Sequence, residues 1–217
     1  MKAKKAGSVY NSKTIAGENA WNRLSKEVEA CMRKDDVVEA LISGPNEKDI
    51  LPCVAEILKE VPPNAVGAKH RFITALLLNW VIVFYKNNHY RKVIRQPDTT
   101  KSRWFGMPME VALRCLSIFA TETSDEKGVA FAMSKANKDK CLVHALLLFM
   151  ISQGDKMKVT SLKSIASDMK VTLNECSQKL RLAGVTTSKN GERMSAELKL
   201  PLTFPKVKRA VGGSSRR

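Results

Sequence analysis

Side chains able to grip a polyanion form the one chemical pattern that recurs along this chain. Between residues 172 and 183, Asn174, Ser177, Gln178 and Arg181 recur at three- and four-residue steps, which places them on one stripe of a helix. Amide, hydroxyl and guanidinium groups can donate hydrogen bonds to phosphates or base edges. An ordinary solvated helix face has the same composition, so the stripe alone carries no identity. Lys179, four residues after Glu175, is explained by a local ion pair. Lys189 and Arg193 bracket Asn190-Gly191, a turn tip that would expose cations to phosphate, and Lys163 lies within the short helix upstream. Earlier still, Arg91, Lys92, Arg95, Lys101 and Arg103 interleave with Tyr90 and Trp104. A basic loop with aromatics can hold a phosphate backbone and stack on an unpaired base, although Trp104 and Phe105 read better as anchors of that loop to the core. Few bidentate base readers occur together, so the expected binding is backbone-led and salt-sensitive.

Bond-making chemistry has no comparable pattern. The three histidines, His70, His89 and His144, lack metal-ligand spacing with a cysteine or carboxylate, and His144 sits within an apolar helical run as a satisfied core residue would. There is no glycine-rich phosphate loop, nucleophile elbow or acid pair. The five cysteines (Cys31, Cys53, Cys115, Cys141, Cys176) are odd in number and without a Cys-x-x-Cys pair, which reads as free thiols in a reducing compartment. The expectation is a non-enzyme with no metal and no cofactor.

The net charge of +16 supports a polyanionic partner, and its distribution sharpens the point. Residues 1–16 hold Lys2, Lys4, Lys5 and Lys13, residues 206–217 hold Lys206, Lys208, Arg209, Arg216 and Arg217, and neither stretch holds an acid. That puts +9 at the two ends and +7 on the body. The longest apolar runs, 72–85 and 141–151, are too short to span a bilayer, so no membrane partner is expected. Charge and thiols together point to an intracellular place, the nucleus or another nucleic-acid-rich site.

The elements that must position these residues are clearest from 139 to 200. An apolar helix over 141–151 precedes a strand-like 158–160 and a small helix over 161–168. Thr172 with Glu175 three residues later is a capping-box signature, and Gly184 suits the end of the helix that follows. Strand-like 185–188 and 194–200, joined across 189–192 with Asn190-Gly191, predict a hairpin. Helix, strand, helix, turn, helix and hairpin make a helix-turn-helix with a wing. A weak repeat suggests a second copy: Phe72-Ile73-Thr74-Ala75-Leu76-Leu77-Leu78 matches Leu142-Val143-His144-Ala145-Leu146-Leu147-Leu148 at a spacing of 70 residues. After the first match come the basic segment 89–103, a helix near 108–117, strand-like 118–122, a turn at 124–128 and strand-like 129–133, with no middle helix to be placed.

The fold class expected is mostly α-helical with small β-hairpins, a tandem winged helix preceded by a helical segment. The division is a basic, unstructured 1–16, a helical 17–66, a first winged helix over 67–137, a second over 138–205, and a basic tail from 206. Within 17–66 the helical patterns are 20–32 and 49–61, able either to pack on the first winged helix or to serve as a separate docking arm.

Residues 139–182, with Cys141-Leu142-Val143-His144-Ala145-Leu146-Leu147-Leu148-Phe149-Met150, Lys158-Val159-Thr160-Ser161-Leu162 and Ile165-Ala166, resemble the C-terminal tandem winged-helix region of the forty-nine-kilodalton subunit family of RNA polymerase I. The ending, Leu200-Pro201-Leu202, Phe204-Pro205 and a basic tail, is similar too, as is the Lys-rich start. The resemblance implies a non-catalytic DNA-binding subunit, contacting duplex or single-stranded DNA near the polymerase cleft. It further implies association with RNA polymerase I subunits, support of ribosomal RNA initiation and elongation, and a place in the nucleus and nucleolus. The region is similar in plan to the beta subunit of general transcription factor IIE. Family members also carry an N-terminal β-barrel that pairs with a second subunit. No strand-rich segment of that kind occurs here, so no heterodimer partner is expected through it, and the chain reads as a fragment or a form lacking that module. The competing expectation is an adaptor whose winged helices dock on other subunits without touching nucleic acid.

Overall fold

Three groups of elements account for the residues described by the computed structural model, namely 9–43, 50–88, 92–126, 128–154, 156–202 and 204. The N-terminal group is α1 (Ser12–Ala16), α2 (Glu18–Cys31), α3 (Val37–Ile42) and α4 (Pro52–Glu60). A first unit follows: α5 (Ala68–Asn87), β1 (Val93–Arg95), β2 (Arg103–Trp104), β3 (Met107–Pro108), α6 (Met109–Phe119), β4 (Thr121–Asp125) and β5 (Gly128–Ala132). The second unit is α7 (Lys135–Ser152), β6 (Lys158–Val159), α8 (Lys163–Met169), α9 (Leu173–Leu182), β7 (Thr186–Asn190) and β8 (Arg193–Glu197). The described chain is thus mostly helical with small antiparallel sheets.

Helix starts follow side-chain chemistry. Asp36, Ser134 and Thr172 each accept a hydrogen bond from the backbone N–H three residues on, satisfying a donor the helix itself cannot. The Ser134 cap starts α7 six residues before the apolar run predicted from 141, because Lys135 to Lys140 form a polar first turn and a half. The small helix predicted from 161 begins only at Lys163, since Leu162 instead gives its N–H to Met194 O at 2.9 Å. In the second hairpin, Asn190 pairs with Arg193, so the strands run further than expected and Gly191-Glu192 alone form the turn, with Gly191 at φ +59°.

The two repeat copies lie on α5 and α7, and these helices pack on each other more extensively than any other pair. α5 is buried around nearly its whole circumference, by α2, α4, α6 and α7, so it shows no amphipathic stripe. The sheets of the two units share one order, β1-β5-β4 and β6-β8-β7: the strand after the long helix pairs with the last strand, which pairs with the middle one. Where the second unit has α8, the first has a loop closed by the β2–β3 ribbon. No helix forms there because Asp98 accepts from both the backbone N–H and the hydroxyl of Thr100, and Pro97 and Pro108 bracket the stretch. The helix expected over 108–117 extends to Phe119, which leaves Ile118 helical and starts β4 at Thr121.

The N-terminal group corrects the expectation of an unstructured 1–16. Asn11 caps α1, Ala16 and Ser12 are buried, and Ser12 Oγ lies 3.0 Å from His70 Nε2 while accepting from Thr74 Oγ1 at 3.1 Å. Residues 1–8 lie outside the described residues. α2 packs on α5 and α6, and α4 packs on α5 and α8, so this group touches both units instead of standing apart. α4 starts at Leu51-Pro52, where no side chain can cap it locally. Two groups do so from a distance: Asn79 Oδ1 on α5 accepts from Leu51 N at 2.9 Å, and Asp168 Oδ2 on α8 accepts from Cys53 N at 2.8 Å. A carboxylate at a helix N-terminus also meets the positive end of the helix dipole.

Two outcomes follow for stability. Asp168→Ala should lower unfolding free energy by about 1–2 kcal/mol in urea titrations, with Asp168→Asn costing less because an amide oxygen still accepts. His144 on α7 donates from Nδ1 to Lys140 O at 2.8 Å and meets the Phe119 ring edge-on at 5.2 Å. Burial first, then the nearby Lys140 and Arg114 charges, hold its pKa below the ordinary 6.5. The unfolded chain therefore takes up this proton at higher pH than the folded one. Its stabilisation is present above pH 6.5 and lost as the pH falls below it. The melting temperature should drop on acidification through this range, and His144→Gln should flatten that part of the drop.

Candidate nucleic-acid interface

α9 turns Cys176 and Leu180 inward onto α7 and leaves Asn174, Gln178 and Arg181 exposed. Ser177, expected on the same stripe, is only 5% exposed. At roughly 100° per residue it lies at the stripe's edge, close to Leu173 and Leu180. Its Oγ meets Thr187 Oγ1 on β7 at 2.6 Å, and Arg181 Nε donates to the same Thr187 oxygen at 3.0 Å. Thr187 thus fastens α9 to the hairpin, and Ser177 is used for that fastening instead of for a ligand. Lys179 pairs with Asp139 of α7 at 2.7 Å, not with Glu175 as its spacing suggested.

The fastened hairpin comes back over the start of α9. Thr172, Leu173 and Asn174 line one side of a shallow groove of about 350 Å³, and Lys189, Gly191, Glu192, Arg193 and Met194 line the other. Three residues singled out from sequence, Asn174, Lys189 and Arg193, are therefore brought to one place. Lys163 is exposed at the first turn of α8, immediately after the residue whose N–H is bonded to Met194 of the groove wall. The groove offers an amide and two cations opposed by one carboxylate, Glu192. That arrangement can take a phosphate or another anion and supplies no nucleophile.

The first unit treats its cations differently. Arg95 is bonded to Asp125 across β5, with two contacts of 2.7 Å, and the carboxylate raises the guanidinium pKa further. Arg103 donates to Gly106 O and lies 3.8 Å from Glu27. Lys92 and Lys101 are exposed, while Arg91, with Tyr90 and His89, lies outside the described residues. Trp104 does anchor the loop, tilted against Phe84 at 6.3 Å, but Phe105 is 58% exposed, its ring 4.7 Å from that of Trp104. The β4–β5 hairpin exposes Glu122, Asp125 and Glu126, the reverse of the basic β7–β8 turn. On α6, Glu110, Leu113 and Ser117 face outward, and Arg114 donates to Thr14 O and Ile15 O at 3.0 and 3.1 Å. The N-terminal group thus borders the helix that corresponds in order to α9. Residues 1–16 show no hydrophobic period, so nothing in the sequence signalled that contact.

Among the described residues, no group of three or more His, Cys, Asp and Glu could hold a metal ion, and no helix is long and apolar enough to cross a membrane. Burial pushes the thiols up, Cys115 to about 12 and Cys176 to about 11, so they stay protonated and poorly nucleophilic at neutral pH. Ser177→Ala should cost about 1 kcal/mol of stability, because one of the two hydrogen bonds at the Thr187 hydroxyl is lost and only the one from Arg181 remains. Its duplex affinity, measured by fluorescence anisotropy, should stay close to that of the unsubstituted chain. A loss of affinity at unchanged stability would return Ser177 to the contact surface.

A search of curated proteins finds no relative that matches this chain. A family comparison does match, and over nearly the whole length: residues 1–205 of 217 fit the A49-like RNA polymerase I associated factor family. That match takes in the N-terminal helices together with both units, and on its extent the chain belongs to the A49-like RNA polymerase I associated factor family.

Proposed function

We propose that this chain is a non-catalytic, DNA-contacting component of the RNA polymerase I machinery, built as two winged helices in tandem. It would support initiation and elongation at ribosomal RNA genes in the nucleolus. Family membership supports the polymerase I role. The tandem reading draws on the shared strand order of the two units and on the α7-β6-α8-α9-β7-β8 sequence of the second. The observation that carries the DNA reading is the groove in which Asn174 of α9 faces Lys189 and Arg193 of the hairpin turn.

In this reading the second unit leads. Gln178 and Arg181 extend the contact along α9, and Lys163 adds a cation beside the groove. Lys92 and Lys101 are available on the first unit, whereas Arg95 and Arg103 hold the fold together. Contacts of this kind position a duplex without reading its sequence, since phosphate oxygens are the same at every step. Association with other polymerase subunits is part of the proposal. An adaptor reading, docking without nucleic acid, draws on the first unit, where Leu113 is 40% exposed on α6 between Glu110 and Ser117.

The test is anisotropy binding to a random-sequence duplex and to its single strand across a salt series. Affinity should fall steeply with salt. Arg181→Ala/Lys189→Ala/Arg193→Ala should weaken binding and reduce the slope of log K against log salt by about 0.9 for each phosphate no longer neutralised. Duplex affinity unchanged in the triple variant would favour the adaptor.

A further inference from the structure

Arg181 is bonded to the fold differently from Arg95 and Arg114. Arg95 gives both terminal nitrogens to the Asp125 carboxylate, each at 2.7 Å, and Arg114 gives Nε and Nη2 to backbone carbonyls. Arg181 donates through Nε, at 3.0 Å, and its acceptor is the neutral Thr187 hydroxyl. A hydroxyl does not neutralise the guanidinium charge. Of the five N–H donors in the guanidinium plane, this bond uses one, and the four on the two Nη nitrogens lie beyond it. Because the group is planar, pinning Nε also sets the direction in which the Nη edge points.

Thr187 is itself well held. It pairs with Ala196 on β8, its β-branched side chain is stiff, and its Oγ1 lies 2.6 Å from Ser177 Oγ. A hydroxyl has one proton and two lone pairs, so Thr187 can bond Ser177 and still accept from Arg181. Side chains alternate along a strand, which puts Lys189 on the same face of β7 as Thr187 and one step nearer the turn. There Lys189 lines the groove opposite Asn174. Thr187 therefore stands between the cation of the helix and the cation of the hairpin.

We propose that Thr187 is a positioning residue of the DNA interface. It touches no phosphate; its hydroxyl holds Arg181 by Nε, so that the Nη edge is a preformed fork kept in register with Lys189. The proposal rests on the DNA reading above. An exposed arginine otherwise samples many rotamers and must be ordered when a ligand binds, whereas a pinned one loses less freedom and binds more tightly with the same charge. Ser177→Ala leaves the bond from Arg181 to Thr187 in place, in keeping with the unchanged affinity expected of it.

Full-chain variants are measured by anisotropy on the same random-sequence duplex across a salt series, with folding followed by urea titration. Thr187→Val keeps the branched shape without the hydroxyl. It should weaken binding about fivefold at an unchanged salt slope, since every cation remains. Thr187→Ser keeps an acceptor and should bind as the parent does. Arg181→Lys keeps the charge but has no Nε–H to give, and should show the same loss as Thr187→Val. It leaves the Thr187 bond to Ser177 intact, so it decides the matter even where the valine variant folds poorly. Arg181→Ala should lower the slope by about 0.9, and adding Thr187→Val to it should cost no further affinity. If Thr187→Val weakens binding equally with and without Arg181, Thr187 only shapes the hairpin and the proposal fails. If neither Thr187→Val nor Arg181→Lys weakens binding while Arg181→Ala/Lys189→Ala/Arg193→Ala does, the interface stands and the positioning role is wrong. If that triple variant binds as the parent does, the DNA reading falls and the proposal with it.

Discussion

Every other contact in the molecule is arranged around the packing of α5 against α7. Each helix is apolar over a run longer than a surface helix can hide on one face. α5 buries side chains from Phe72 to Tyr85 with hardly a break, and α7 buries ten consecutive or nearly consecutive residues from Cys141 to Ser152. Neither could bury that much against a single small sheet. Placed side by side, each closes part of the other's surface, and α2, α4 and α6 close the remainder of α5. At about 25 cal/mol for each Å² of apolar surface removed from water, burial on this scale stabilises the fold substantially.

Where local chemistry decided the structure, the sequence was readable. Thr172 with Glu175, the Gly191 turn and the alternating strands of the second hairpin all involve partners within a few residues, and all three appeared near their expected places. Contacts over long separations were not readable. Nothing about Lys179 names Asp139 as its partner, nothing about Ser177 names Thr187, and the lack of periodicity before residue 16 gave no hint that Ser12 would be buried beside Thr74. The missing middle helix of the first unit is an intermediate case. Pro97 and Asp98-Thr99-Thr100 argue for a turn, and only the likeness to the second unit asked for a helix, which no pattern between 89 and 104 could place. Family resemblance reached further than either, because a pattern of small and apolar residues over a whole helix constrains topology more than any single site.

The two units share an order of elements but spend their charges differently. In the first, guanidinium groups are consumed internally, Arg95 by Asp125, Arg103 by Gly106 and Glu27, and Arg114 by the carbonyls of α1. In the second, Arg181 gives its Nε to Thr187 and Lys179 pairs with Asp139, but Lys189 and Arg193 remain on an open turn. A cation already bonded to the fold has little left to give a ligand, so internal duplication of a topology here does not mean duplication of a surface.

The capping of α4 by Asp168 carries a consequence for how the chain assembles. Cys53 and its partner are 115 residues apart, and Tyr10 and Ala183 are 173 apart. At ribosomal speeds of about 5–20 residues per second, α4 waits on the order of ten seconds after synthesis before its capping carboxylate exists. The earlier member of each such pair is thus among the last groups to be closed into place. Contacts of such length slow the search for the native state, because loop-closure entropy must be overcome before they contribute. During that interval the apolar side of α5 has no α7 to cover it, which makes the emerging N-terminal half a natural client for a chaperone until the second unit leaves the ribosome.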